Sequence, residues 1–209
     1  YYGKHTQGAF VWDWVDQAII APKPAIERYL TNGQNAIPLV IRAGKINADG
    51  NVVGGMTISQ HPALDQTGKF SFEVRLKPIS TFSDGVLARR GVQYCLEQNQ
   101  KELRFDMGNP KNQKRGFRVS TPLPENWFGN WHTVAAVWDG QEMRLILDGK
   151  LAASKRQKTV VPSSAYPVSV GYDTLKTNRV LNAEFAAVRL YDKAMKPEFF
   201  AKDAKDRGV

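Results

Sequence analysis

Asp13 and Asp16 stand three residues apart in QGAFVWDWVDQ (residues 7–17), and two carboxyl groups close together can divide the roles of general acid and general base. The surrounding stretch, residues 8–20, is rich in β-branched and aromatic types with no Gly or Pro after Gly8, which reads as a buried strand. On a strand, residues three apart point to opposite faces, so the two carboxylates diverge. Hydrogen bonding to a neighbouring loop or strand end is their expected role, and no residue of the chain is assigned as catalytic. His5, His61 and His132 form no HxH or HExxH spacing, no GxSxG elbow supports a nucleophilic serine, and no GxxxxGK[ST] loop cradles a phosphate. Cys95 is the sole cysteine, which excludes an intrachain disulfide, and its setting in GVQYCLEQ reads as a packed thiol.

The elements that must position any site are strands. From residue 37 onward, short apolar runs separated by turn residues follow one another: IPLVIR, KFSFEVRLKP, GVLARR, VQYCLEQ, KELRFDM, GFRVS, NWHTVAAVWD, EMRLILDGK, YPVSVGY and AEFAAVRLYD. Such spacing predicts an all-β, two-sheet antiparallel sandwich of jelly-roll type. In FSFEVRL, Phe70, Phe72, Val74 and Leu76 share one face, expected in the core, while Ser71, Glu73, Arg75 and Lys77 share the other, expected in water. Asp139-Gly140 predicts a tight hairpin turn, and Asp148-Gly149 closes its second strand. Short helices are expected near both ends: one between Pro24 and Gly33, and one entered near Pro197 that docks by Phe199 and Phe200.

The 209 residues carry a formal net charge of +9 and are 42% hydrophobic, enough for one substantial core. Basic runs fall at 111–118 (KNQKRGFR) and 154–158 (SKRQK). No helix-turn-helix, zinc-finger, RRM or OB-like pattern accompanies them, so solvated loops are expected and nucleic acid is not an expected partner. No apolar run approaches the roughly 18 residues of a membrane span, and the start YYGKHTQG lacks the pattern of a secretion signal.

Two stretches carry resemblances. FSFEVRLKP, NWHTVAAVWDGQEMRLILDGKLAA, VSVGYD and AEFAAVRLYDKAMKPEFF occur in the order used by laminin-G-like, concanavalin-A-like lectin domains, which the chain resembles over residues 37–200. That resemblance implies a β-sandwich over 37–209 and carbohydrate as partner, with calcium as a possible cofactor. QGAFVWDWVDQAI resembles the last catalytic-barrel strand of family-2 glycoside hydrolases, the β-galactosidases, with Ala9 in place of a glycine of that pattern. This second resemblance implies that residues 1–36 are a barrel remnant plus connector, that Trp12 contacts the galactosyl ring in an intact enzyme, and that the location is periplasmic or extracellular. The parent would be a retaining hydrolase with two carboxyl groups about 5–5.5 Å apart. Both lie outside this chain, which alone is expected to be inactive.

Within a lectin-like sandwich, a sugar needs an aromatic platform with directional polar groups beside it. By residue type, Tyr94, Trp127, Trp138 and Tyr172 are candidate platforms, with Trp127 expected to be exposed in the loop PENWFGNW; Arg89, Arg104 and Asp106 are candidate polar partners. Tyr94, Arg104, Asp106 and Trp127 are the lectin-face residues selected, alongside Trp12. Calcium would require about six to eight oxygen ligands, and the aspartates near turns, Asp84, Asp106, Asp139 and Asp173, form no continuous loop. Two alternatives accompany sugar binding: a bracing or dimerising sandwich, with the apolar N-terminal segment as its contact, and recognition of anionic glycans by Lys111–Arg118.

Overall fold

A computed structural model of the chain describes residues 27–30, 39–49, 51–79, 85–109, 114–173 and 176–206. The barrel-like stretch at 8–20, with Trp12, Asp13 and Asp16, lies outside the described residues, as do His5, Asp84 and Lys111.

The fold is an antiparallel β-sandwich. Its strands are β1 (Glu27–Leu30), β2 (Leu39–Ile46), β3 (Val52–Ile58), β4 (Phe70–Pro78), β5 (Gly85–Arg90), β6 (Tyr94–Gln98), β7 (Glu102–Asn109) and β8 (Lys114–Pro122). They continue with β9 (His132–Trp138), β10 (Glu142–Leu147), β11 (Lys150–Arg156), β12 (Val168–Val170), β13 (Tyr172–Asp173), β14 (Lys176–Val180) and β15 (Ala183–Tyr191), before the helix α1 (Pro197–Asp206). A 3-10 turn, Pro62–Leu64, interrupts them after β3.

One layer runs β11-β10-β9-β4-β15 with β1 added to β15; the other runs β2-β3-β12-β5-β6-β7-β8. The layers join at a short corner where Glu184 and Phe185 pair with Val53 and Val52. At the opposite side their free edges, β8 and β11, lie against one another and close the sandwich.

The interior follows the period-two pattern. Phe70, Phe72, Val74 and Leu76 point inward from β4, and Val134, Ala136 and Trp138 from β9. Tyr94 and Phe105 come from the other layer; the Tyr94 ring lies 5.3 Å from Phe70 and 5.2 Å from Phe72. Each such ring removed from water contributes about 1.5–3 kcal/mol.

The β9–β10 hairpin forms as expected, with its turn one residue later: Gly140 takes φ 96° and heads the loop Gly140-Gln141. The β10–β11 turn has both central residues at positive φ, Asp148 at 48° and Gly149 at 75°, as the twist of a two-residue hairpin requires.

Two expectations are corrected. Glu27–Leu30 is a strand, not a helix, because its backbone pairs in parallel with Ala187–Leu190, and sheet pairing outweighs the local helical signal of Pro24 and Gly33. The outward face of β4 is also not in water: Ser71, Glu73 and Arg75 are buried. Ser71 Oγ donates to the Lys193 carbonyl (2.6 Å) and accepts from the Met195 amide (2.8 Å). Glu73 pairs with Arg189 (3.2 Å) and accepts from the Tyr191 hydroxyl (3.4 Å). Beyond them α1 docks through Phe200, buried against Ala135, Val137, Ile146 and Tyr191, while Phe199 stays half-exposed, edge-on to Tyr191.

Candidate carbohydrate-binding surface

The outward face of the second layer carries a row of polar side chains fixed by strand register. Thr57, Ser169, Arg89, Cys95, Asp106 and Arg118 are successive cross-strand partners from β3 to β8, with Glu97 opposite Arg104 one rung away. Register therefore gathers Arg89, Arg104 and Asp106, three of the residues singled out by type. Tyr172 joins them, its hydroxyl against Thr57 Oγ1.

The row is neutralised from within. Arg89 binds Asp173 (2.8 Å) and the Gly91 carbonyl (2.6 Å). Arg118 makes a two-pronged contact with Asp106, 2.6 and 2.9 Å, which raises the affinity of its guanidinium for its proton. Arg104 binds Glu102 (2.7 Å), and the hydrogen bonds from Ser120 and Arg104 hold the Glu102 carboxyl below its ordinary range. Most of the row is buried, and Arg118 alone is exposed by more than a third. Cys95 is buried here, beside Glu97 rather than in the apolar core.

The aromatic candidates lie elsewhere. Tyr94 and Trp138 are core residues. Trp127 is 0% exposed, which corrects the expectation of a loop-exposed ring. Its indole N–H donates to Gln98 Oε1 (2.8 Å), and its ring stacks on His132 at 4.7 Å. His132 in turn contacts Asp148 (2.8 Å) and the Asn126 carbonyl (3.2 Å), so the loop PENWFGNW folds inward to serve a histidine and a tryptophan. Neither Tyr94 nor Trp127 offers a ring face to solvent. Asp139 accepts from the amides of its own turn and from Arg144, and among the described residues no three His, Cys, Asp or Glu side chains converge as metal ligands.

Sequence reasoning missed Tyr166. It is 49% exposed and lies against Gly91, where an added Cβ would come within 2.7 Å of Tyr166 Cδ2. Gly91 has φ 49°, so the site needs glycine for both backbone and space. Asp65 organises the loop beneath: Oδ1 accepts from Gln93 Nε2 (2.7 Å) and the Ser164 amide (3.0 Å), and Oδ2 accepts from the Ser163 hydroxyl. Ser164 accepts Arg90 Nη2 at its carbonyl (2.5 Å) and the Tyr166 amide at its Oγ (3.3 Å). Burial raises the Asp65 pKa, but hydrogen bonds from Ser163, Ser164 and Gln93, with Arg90 nearby, outweigh it and hold the carboxyl below its ordinary range.

The result is a solvent-facing ring seated on Gly91, in a loop that the Asp65 carboxylate holds through Ser163 and Ser164. That pairing suits a pyranose, whose C–H face stacks on a ring while its hydroxyls meet polar groups. Two further rings are engaged: Arg75 and Lys77 stand over Trp131 at 5.3 and 5.5 Å, and Phe199 packs edge-on against Tyr191 and Phe200. The signal in SSAYP was a tyrosine among small loop residues directly before a proline, which cannot donate to a ladder.

Fold and surface together define a lectin-like sandwich. The chain belongs to the family described as concanavalin A-like lectin/glucanases superfamily (Laminin_G_3), whose model matches residues 49–199. Similar solved structures include the receptor-binding domain of botulinum neurotoxin mosaic serotype C/D, at TM-score 0.65 and 10% identity over 86% of this chain and 50% of that one. The binding domain of botulinum neurotoxin DC in complex with SialylT matches at TM-score 0.64 and 12% identity, over 84% of this chain and 47% of that chain. A third, from work describing cell entry of botulinum neurotoxin type C as dependent on two ganglioside molecules, matches at TM-score 0.66 and 10% identity, over 86% and 49% of the two chains. The chain spans about half the length of these domains. Comparison with curated proteins finds no match. Among the described residues, no helix is long and apolar enough to cross a membrane.

Proposed function

We propose that this chain is a carbohydrate-binding module that contacts sugar at the rim formed by Tyr166, Asp65, Ser163 and Ser164. The observation that carries this reading is the exposed Tyr166 ring seated on Gly91, in a loop fixed by the Asp65 carboxylate through the Ser164 amide. The lectin-like family, and structural neighbours whose descriptions name SialylT and gangliosides as their own ligands, support the same class of partner. A glycan array probed with the protein and with Tyr166→Ala tests it. The native protein is expected to retain a defined set of glycans and the variant to lose roughly two- to tenfold in affinity, the scale of one stacked ring. An unchanged profile in the variant excludes this rim.

The module's parent, on this reading, is a β-galactosidase-like hydrolase, supported by QGAFVWDWVDQ alone. A sandwich holding polysaccharide near a barrel raises the local concentration of its substrate without adding a bond-breaking step. Release of galactose from terminal β-galactosides by the full-length gene product is the expected result, and its absence removes this part of the proposal.

A further inference from the structure

The basic end of β11 leads, within a few residues of chain, into the connection that holds Ser163, Ser164 and Tyr166. β8 and β11 are the adjacent free edges of the two layers. The basic start of β8, Lys114 and Arg115, pairs with Asn109 and Gly108, and Gly108 lies against Pro162, an added Cβ there being 3.1 Å from Pro162 Cγ. Pro162 is followed directly by Ser163 and Ser164, the partners of Asp65. The chain reaches Pro162 from the basic end of β11, so only a short connection separates Lys155, Arg156 and Lys158 from the rim.

These three cations are exposed, and none is engaged in an ion pair among the described residues. Glu142, the cross-strand partner of Arg156, already binds Arg144 (2.9 Å). The acid at the rim, Asp65, is engaged by Ser163, Ser164 and Gln93. Each cation of the polar row on the second layer has a carboxylate partner, whereas these three have none among the described residues, and a flank of one sign raises the local concentration of an oppositely charged ligand.

We infer that the glycan held at the Tyr166 rim is an acidic one, carrying carboxylate or sulfate groups that face Lys155, Arg156 and Lys158. This rests on the carbohydrate reading of that rim and adds the chemical class of the ligand. Basic residues on an edge strand also guard against edge-to-edge pairing, a role that predicts no glycan preference.

Calorimetric titration with neutral and sulfated galactan oligosaccharides of equal length separates these roles. The sulfated form is expected to bind at least about tenfold tighter at roughly 0.05 M salt, with the gap closing towards roughly 0.5 M as screening shortens. Lys155→Glu with Arg156→Glu should bring the sulfated affinity down to the neutral one. The milder pair Lys155→Gln and Arg156→Gln gives an intermediate value and guards against misfolding, which circular dichroism reports. Tyr166→Ala should weaken both ligands. Neutral binding without a sulfate preference overturns the acidic ligand and leaves the carbohydrate reading standing. Failure of both ligands overturns both. Equal binding of a DNA duplex, unaffected by Tyr166→Ala, replaces the acidic glycan with indiscriminate attraction of polyanions.

Discussion

Asp148 combines one backbone role with two side-chain contacts. It occupies a left-handed turn position (φ 48°), its Oδ1 accepts the Thr133 amide (2.8 Å), and its Oδ2 meets His132 (2.8 Å), which in turn stacks on Trp127. Asp148→Ala removes both contacts and places a residue ill-suited to positive φ, so a loss of about 2–3 kcal/mol is expected. For a chain of this size that is a fall of roughly 4–12 °C in Tm by calorimetry. Asp148→Gly, which keeps the turn and loses the contacts, should fall between. Asp65 adds a dependence on pH. Its folded-state pKa is depressed, so its contribution is complete above the unfolded value near 3.9 and is lost as pH falls through the folded value. The stability gap between the native protein and Asp65→Asn, measured by urea unfolding, should therefore narrow below about pH 4. A gap constant from neutral to acid pH contradicts it. Residue type alone misled the reading of Tyr94 and Trp127, since an aromatic can serve core or surface equally well. Parity held the correction for Tyr94: it shares a face with Leu96, while Cys95 and Glu97 take the other.

The strands of this fold were legible because alternation and turn residues are local signals, and β4, β9 and β10 sit where those signals place them. What covers a polar strand face is not local. Ser71 and Glu73 read as solvated, yet both are buried by partners more than a hundred residues away. The same limit applies to β1, whose partner β15 is distant in sequence. The docking of α1 depends on one glycine: at Gly149, φ is 75° and an added Cβ would stand 2.3 Å from Ala201 Cα. Gly149→Ala should therefore destabilise the chain by about 2 kcal/mol or more, since backbone strain and helix displacement add. Hydrogen exchange should report it first in α1 and in Ile146, which packs against Phe200. Unchanged protection there would show that the helix tolerates the displacement.

Across the whole molecule, charge is distributed unevenly. The rows on both layers pair Arg89 with Asp173, Arg118 with Asp106 and Arg189 with Glu73, whereas the β11 edge of a chain with net charge +9 keeps its lysines and Arg156 without ion pairs among the described residues. On the proposed reading, the exposed rim is left to meet a ligand. The rim itself was not legible in sequence. Tyr166, Gly91 and Asp65 come from three separate connections, and only the closing of the sandwich brings them together. The most direct measurement is the structure of the chain with a bound oligosaccharide chosen from the glycan array. A sugar ring stacked on Tyr166, with a hydroxyl within hydrogen-bond reach of Asp65 or Ser163, is the expected result. A sugar seated instead on the Arg89–Arg118 row, with Tyr166 untouched, would contradict it.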